Sequence, residues 1–385
     1  MQAILEGKMA ILYLTEERAW VGREGDCLIV HIPERDDDGD KGASKGKRER
    51  KMTVPMLKVE EVVVLGDITM STPALAALLE AKVSVTYLTK FGRYLGSLSP
   101  QLTRNSLLRL AQHAAHASPE RRIMIARRFV VGKLRNMRTI LMRYHRQSPD
   151  SLVAAQVESL RRCISAAEDA NLKLVDEAIE ESGVDRDPEL EPGEVASGRM
   201  NGLGPLLGCE GAGSAAYFGV FGRLIKCGWA HGFTRRVRRP PTDPVNAMLS
   251  YGYTILGTQI ASTVAAVGLD PYIGYLHSSR YGKPALALDL LEEFRPVIVD
   301  AVVLGLLNNR MLEEKDFERE LNSVKMSERG RRLFLEKFEG RMQEVITHPT
   351  FEYKVPYRRC IELQARLLGK YLTGEVDEYI PFTVR

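Results

Sequence analysis

The chain has 385 residues, of which 44% are hydrophobic and 27% are charged, and its net charge is only +4. This length and balance are typical of an ordinary globular protein with two or three domains. Its five cysteines lack CxxC spacing, which argues against a disulfide framework and against a structural zinc site. No secretory signal and no long apolar segment is found, so we expect a cytoplasmic protein outside the membrane.

The first hundred residues predict a small β domain. One short helix is expected from Pro73 to Glu80, with Thr72 as its N-cap, and residues 92–96 indicate a turn or hairpin. Residues 34–51 lack apolar periodicity and predict a mobile hairpin tip. This loop is either simply solvated or, because its second half is cationic, a basic arm that contacts nucleic acid. The runs rich in β-forming residues are Ala10–Leu14, Ala19–Val21, Cys27–Ile32, Glu61–Leu65 and Val83–Leu88.

From about residue 103 onward the pattern is helical. Ser118 followed by Pro119 is a strong helix start, and residues 182–204 carry the Gly, Pro and acidic residues of a connector. Pro296 lies inside a helical pattern and should break or kink it. The predicted fold is therefore α+β, with a small N-terminal β domain at 1–100 and a larger all-α domain at 101–385. Helices are expected at about 119–147, 150–181, 206–226, 243–266, 286–308, 327–346 and 353–372.

The helix predicted at 119–147 has one apolar and one cationic face. It contains nine Lys and Arg residues but a single acid, Glu120. A solvated helix face usually mixes both signs of charge, so this one favours phosphate binding over simple solvation. The basic residues singled out on this helix and in a second cluster further along are Arg121, Arg128, Arg135, Arg138, Arg235, Arg236, Arg238 and Arg239.

Three separated segments each place a metal-binding side chain in a structured context. Glu210 lies in a run of small residues, His277 lies on a loop, and Asp289 and Glu292 share one face of a predicted helix. Together they supply carboxylate and imidazole ligands suited to Mn²⁺ or Mg²⁺. Each also has an ordinary explanation: a Glu favoured by a helix dipole, a surface histidine, and an acidic helix face paired with Arg295.

Four ordered runs, taken together, resemble the CRISPR-associated Cas1 integrase family. The resemblance extends over nearly the whole chain and departs from the family at the 34–51 loop and the 182–204 connector. The runs are Glu210-Gly211 with Ala215-Ala216-Tyr217-Phe218, then 243–253, then Gly274-Tyr275-Leu276-His277, and finally 286–296.

The resemblance implies a catalytic metal site of Glu210, His277 and Asp289 in the α domain, with Mg²⁺ or Mn²⁺ as cofactor. It adds Glu292 as a further catalytic acid, either as a ligand or as a support for the ligands. It implies CRISPR adaptation, an antiviral defence, in which the 3′-hydroxyl of spacer DNA attacks a phosphodiester at the end of a CRISPR repeat. Endonuclease activity would accompany this strand transfer at the same site.

The resemblance also implies partners. These are double-stranded and branched DNA, a second copy of the chain joined through the β domain, a Cas2 dimer within a heterohexamer and, in some systems, Cas4. Three alternatives stay open: a structure-selective metal-dependent nuclease that acts on branched DNA in repair, a non-catalytic nucleic-acid scaffold, and a metal-dependent hydrolase of small phosphoesters.

Overall fold

The computed structural model describes residues 10–33, 49–100, 105–169, 203–230, 232–237, 240–278 and 281–384. The chain divides into two compact units, Met1–Thr103 and Arg104–Arg385. Strands dominate the first unit and helices the second, so the predicted α+β fold class is confirmed.

The described residues of the first unit form two four-stranded sheets. One sheet has the order β1-β5-β7-β8, in which the first three strands run parallel and β8 is antiparallel to β7. The other has the order β4-β3-β2-β6. The strands are β1 Ala10–Leu14, β2 Trp20–Glu24, β3 Cys27–Pro33, β4 Glu49–Pro55, β5 Val59–Leu65, β6 Thr69–Met70, β7 Ser84–Leu88 and β8 Tyr94–Leu98.

Alternating apolar residues explain why these strands pair. Leu12, Val30, Val62 and Val85 are buried in one hydrophobic cluster, which also takes in Leu78 of helix α1, Thr72–Glu80. Apolar side chains on one face of each sheet thus find a common core.

Two local predictions for this unit need correction. Ser71, not Thr72, caps α1: its backbone is extended and its hydroxyl accepts a hydrogen bond from Ala74 N at 3.3 Å. The predicted 34–51 loop is also shorter than expected, because Glu49 to Lys51 already belong to β4 and pair with β3. Cross-strand pairing with an apolar neighbour strand outweighs the polar composition of these three residues. The rest of that loop, 34–48, lies outside the described residues.

The second unit is mainly helical, and α3 lies at its centre. Helix α3 packs against α2, α4, α5 and α7. The predicted cap is confirmed, since Ser118 Oγ accepts from Arg121 N at 3.3 Å. The end of the helix predicted at 150–181 and nearly all of the 182–204 connector lie outside the described residues. The helices are α2 Ser106–Ala117, α3 Pro119–Gln147, α4 Ser151–Asp169, α5 Gly204–Phe221, α6 Pro244–Val267, α7 Ala285–Arg295, α8 Ala301–Asn308, α9 Glu328–Gln343 and α10 Tyr357–Leu372.

Two features of this unit differ from the prediction. The break expected at Pro296 is instead a π-helical turn, Pro296–Asp300, that joins α7 to α8 without interruption. The unit is also not all-α, because it contains two short antiparallel pairs of strands of only three or four residues each. Strands that short are set by tertiary pairing and leave little periodicity in the sequence. They are β9 Phe317–Glu320 with β10 Ser323–Met326, and β11 Val345–Thr347 with β12 Lys354–Pro356.

In the part of the chain that the structure describes, every helix is too short or too polar to span a bilayer.

Candidate active site

Helix α5 brings Glu210 against α3. The small residues of α5 permit this approach: a Cβ added at Gly213 would collide with the side chain of Leu134 on α3. One turn earlier on α5, the Glu210 carboxylate contacts the Lys133 ammonium of α3 and accepts from Ser214 Oγ at 2.9 Å. The run of small residues around Glu210 thus places a half-buried carboxylate in contact with a lysine.

Asp289 organises the loop that carries His277. This fully buried carboxylate accepts from Tyr275 N at 2.5 Å and from Leu276 N at 3.0 Å through Oδ2. Its Oδ1 accepts from His277 N at 2.9 Å and lies 2.7 Å from His277 Nδ1. A carboxylate acceptor at Nδ1 holds the ring proton there and leaves the Nε2 lone pair for the site.

Gly274 makes this arrangement possible. A Cβ at this position would lie 2.7 Å from Asp289 Oδ2 and 2.7 Å from the backbone carbon of Ala285. Any side chain at Gly274 would therefore push the loop away from α7 and move His277 with it.

Glu292 lies one turn beyond Asp289 on α7, between two cations and the His277 ring. Its carboxylate is 2.8 Å from Lys133 Nζ, 3.0 Å from an Arg295 guanidinium nitrogen and 3.6 Å from His277 Nε2. Burial raises the pKa of Glu292, but Arg295 and Lys133 outweigh it and bring the pKa down to about 2.

Glu210 is held ionised in the same way. Burial raises its pKa, yet the Lys133 ammonium prevails and the net pKa lies below the ordinary value. Both carboxylates are therefore charged at neutral pH, and they share one ammonium between them.

The donor atoms suit a divalent ion. Glu210, Glu292 and His277 Nε2 offer two carboxylates and one imidazole nitrogen, the mixed set that Mn²⁺ accepts and Mg²⁺ tolerates. Within the described ranges no three His, Cys, Asp or Glu side chains are already arranged around one ion position. The Lys133 ammonium instead stands in as the cation between the two carboxylates. By the chemistry of their donor atoms, these residues fit a divalent metal ion.

Comparison with known proteins identifies the chain. The family model described as CRISPR associated protein Cas1 matches residues 12–340. The chain belongs to the CRISPR-associated Cas1 family. The resemblance noted in the sequence is thereby confirmed, on a match that covers most of both units.

Individual relatives agree with this assignment. A CRISPR-associated endonuclease Cas1 from Thermus thermophilus is 34% identical, and the alignment covers 98% of each protein. A CRISPR-associated exonuclease Cas4/endonuclease Cas1 fusion from Geobacter sulfurreducens is also 34% identical over 99% of this chain, which spans 61% of the fusion's length.

Solved structures show the same fold. A casposase bound to an integration product matches with a TM-score of 0.74 at 22% identity, covering 96% of this chain and 92% of the casposase chain. A Cas1 protein from Thermotoga maritima matches with a TM-score of 0.69 at 22% identity, covering 97% of this chain and 99% of that one.

The structure of this Cas1 chain separates the acids of α7 that the sequence grouped together. Asp289 directs both oxygens at loop donors, whereas Glu292 faces Lys133 and Glu210. Glu293, the next residue along α7, contacts a different part of the molecule: it accepts from Tyr379 OH at 2.7 Å and from Phe382 N at 2.7 Å. Burial raises the pKa of Glu293 to about 8, against these hydrogen bonds that lower it.

Lys133 is the site residue that the sequence reading missed. It is one of the nine Lys and Arg residues of the helix predicted at 119–147, although it is only 2% exposed. Its spacing held the signal: Lys133 lies three residues after Val130 and four before Met137, both on the apolar face. A lysine on a buried stripe needs a partner carboxylate.

Three of the four arginines predicted to bind phosphates on α3 contact other residues of the chain. Arg128 forms an ion pair with Glu378, and Arg135 contacts Glu168 at 2.5 Å. Arg121 donates to Leu372 O at 3.3 Å, and Arg138 is half-buried. Their proposed DNA contacts stay a prediction, and for Arg128 and Arg135 such contacts require exposed ion pairs to open, which costs little.

The second basic cluster adjoins the site only in part. Arg236 donates to Asn246 Oδ1 at 2.8 Å and to Ser250 Oγ at 2.9 Å, while Arg235 is exposed. Asp243 caps α6 by accepting from Asn246 N at 2.9 Å, a structural role. The predicted contributors Arg238 and Arg239 lie outside the described residues. A cavity of about 340 Å³ lies here, with a lining that includes Lys133, Ser214, Phe218, Arg235, Arg236 and Arg295.

Proposed function

We propose that this Cas1 chain is a divalent-metal-dependent DNA integrase of CRISPR adaptation, with endonuclease activity at the same site. The observation that carries the proposal is the convergence of Glu210, Glu292 and His277 Nε2 beside a cavity whose lining includes three arginines. Carboxylates that hold a cation next to a cationic cavity suit phosphodiester chemistry, in which an anionic substrate meets a metal ion.

The proposed ligands are Glu210, His277 through Nε2, and Glu292. Asp289, which the family resemblance implied as a ligand, is proposed instead to position His277, because its two oxygens already receive four donors from the loop. A carboxylate that orients a ligating imidazole and fixes its tautomer is a recurrent arrangement around metal ions.

Each side chain has a defined task. When bound, Mg²⁺ or Mn²⁺ supplies Lewis-acid activation of the scissile phosphate and of the attacking 3′-hydroxyl. Asp289 keeps the proton on His277 Nδ1. Arg295, 3.0 Å from Glu292, holds that carboxylate in place and lines the cavity where a phosphate would sit. The 3′-hydroxyl serves as the nucleophile, so strand transfer requires no covalent protein–DNA intermediate.

The assembly proposed for this chain follows its relatives. One similar fold occurs in a Cas6-RT-Cas1–Cas2 complex, with a TM-score of 0.70 at 22% identity. Two curated relatives are Cas4/Cas1 fusions. We propose a homodimer joined through the β unit, bound to a Cas2 dimer in a heterohexamer, with double-stranded and branched DNA as substrates and Cas4 as an additional partner in some systems.

The test is strand transfer on a labelled branched DNA in Mn²⁺, Mg²⁺ or EDTA. His277→Ala should abolish joining, whereas His113→Ala, a matched change at an exposed position of α2, should leave it intact. Metal-dependent joining that disappears in His277→Ala supports the integrase. Cleavage without joining would favour the structure-selective nuclease, which uses the same residues. DNA binding that persists without any reaction in any metal would favour the scaffold.

A further inference from the structure

Lys133 is the most unusual residue of the site. Its side chain is 2% exposed, and its ammonium contacts Glu210 and lies 2.8 Å from Glu292 Oε2. A buried ammonium is stable only when carboxylates compensate its lost hydration. Lys133 therefore cannot be an incidental member of the cationic face of α3. The two carboxylates hold its ammonium in the position that a metal cation would take.

The charges around the Glu210–Glu292 pair are already balanced. Glu210 and Glu292 carry two negative charges, while Lys133 and Arg295 carry two positive ones. A divalent ion between the same carboxylates would add two positive charges within contact distance of the ammonium. Repulsion at that separation in a poorly hydrated site is large. The ion and the Lys133 ammonium thus compete for one position.

The ammonium has a place to go. Lys133 also lines the cavity of about 340 Å³, whose walls include Arg235, Arg236 and Arg295. The lysine stem is flexible and its head is a point charge with three donors, so it can turn into the cavity without movement of α3. The three arginines give one part of this lining a positive charge, and that part suits an anion such as a phosphodiester.

We propose that Lys133 is an internal counter-ion that occupies the cation position of the metal-free site, and that metal binding expels its ammonium into the basic cavity. There it faces the phosphate of a bound DNA strand. This inference rests on the proposed metal-dependent function and adds to it a coupling between metal and DNA. Metal binds weakly alone, because it must displace the lysine, and more tightly with DNA, whose phosphate receives the displaced charge.

The coupling is tested by binding rather than by turnover. Mn²⁺ affinity is measured by EPR titration of the full chain at pH 7.5, with and without a phosphorothioate DNA that resists reaction. Lys133→Met should raise Mn²⁺ affinity without DNA at least tenfold and shrink the gain that DNA gives to the natural chain. Lys133→Arg keeps a cation and should stay near the natural value. The control Lys337→Met removes the same charge from an exposed position of α9 and should change nothing.

A second measurement needs no substitution. Acetylation of lysines in the natural chain, read by mass spectrometry, should leave Lys133 protected without metal and should modify it at saturating Mg²⁺, while Lys337 reacts equally in both. Unchanged or weaker Mn²⁺ binding by folded Lys133→Met, or continued protection of Lys133 in Mg²⁺, would overturn the inference. If the natural chain binds no Mn²⁺ and joins no DNA, the proposed function itself fails.

Discussion

Asp289 and Glu292 lie one turn apart on α7, and exchanging each carboxylate for its amide should separate the support from the ligand. Asp289→Asn keeps the shape of the side chain but replaces one oxygen with an amino group. That group would face N–H donors of the His277 loop, which now contact Asp289 at 2.5 to 3.0 Å. At least two hydrogen bonds to a charged acceptor are lost, and nothing in the buried loop replaces them.

The expected cost follows from those contacts. A hydrogen bond to a charged group contributes about 1.5–3 kcal/mol, so the loss of two should lower the free energy of unfolding by roughly 3–6 kcal/mol. Metal affinity should fall only about 10- to 100-fold, because His277 is misoriented but present. Glu292→Gln removes a proposed ligand instead, so metal should no longer raise the unfolding free energy of this unit.

The assay is urea unfolding at pH 7.5 in EDTA and in Mn²⁺. The chain has two tryptophans, Trp20 in the β unit and Trp229 in the helical unit. In a Trp20→Phe background, Trp229 fluorescence reports the helical unit alone. Asp377→Asn, a matched change at an exposed position, serves as the control. The reasoning fails if Asp289→Asn keeps its stability in EDTA but is no longer stabilised by Mn²⁺, while Glu292→Gln is still stabilised by Mn²⁺. Asp289 would then be the ligand and Glu292 the supporting residue.

Gly274→Ala should reduce strand transfer by 10-fold or more, because the new methyl group would displace Asp289 and the His277 loop. The control Gly340→Ala, whose Cβ meets nothing within 4 Å, should leave the rate of strand transfer unchanged. Equal rates for both variants would disprove the steric argument. The pKa of Glu293 is about 8 in the folded state against 4.5 when unfolded, so between these values the folded state binds a proton that the unfolded state has lost. Stability therefore falls as the pH rises from about 4.5 to 8, by at most about 1.4 kcal/mol per pH unit. Urea midpoints of Glu293→Gln should lack that slope, and a slope that persists would locate the proton elsewhere. Burial lowers the pKa of His348 from 6.5 to about 4, so stability falls as the pH drops from about 6.5 to 4. In His348→Asn the side-chain oxygen can replace Nδ1 as the hydrogen-bond acceptor, and this variant should lose less stability over the same pH range. An unchanged loss of stability between pH 6.5 and 4 would contradict this assignment.

Local chemistry made much of the fold predictable. Ser118 before Pro119 specified the start of α3 because a hydroxyl N-cap and an early proline suit a helix terminus regardless of tertiary context. The short strands β9 to β12 and the first residues of β4 were not predictable in this way. Lys51, for example, is polar and exposed, and only its pairing opposite His31 makes it a strand residue.

Which of these side chains lie together could be predicted from the sequence better than what each of them contacts. The sequence indicated Glu210, His277, Asp289 and Glu292, and the structure brings all four together. Spacing along a helix cannot tell which acid faces a loop and which faces another helix, because Asp289 and Glu292 differ by only a turn. Lys133 was missed because a basic residue in a basic helix gives no contrast in composition.

The π-helical turn after α7 explains how the site can tolerate the movement of Lys133. Pro296 lacks an N–H and its ring would clash with the carbonyl four residues earlier, so the turn widens. Two carbonyls near the turn accept hydrogen bonds from other helices: Asn136 donates to Glu293 O at 2.8 Å, and Arg341 donates to Val297 O at 2.9 Å.

The same turn ties down α5 and α6. Asp300, at its end, accepts from Tyr217 OH at 3.0 Å and from Tyr253 OH at 2.5 Å. Asn136 is three residues after Lys133 on α3, so one face of that helix holds α7 twice, by backbone through Asn136 and by charge through Lys133. Loss of the charge contact on metal binding leaves the backbone contacts in place. Glu210 and Glu292 therefore keep their positions when the ammonium leaves. This allows a metal ion to replace the lysine without any rearrangement of the helices.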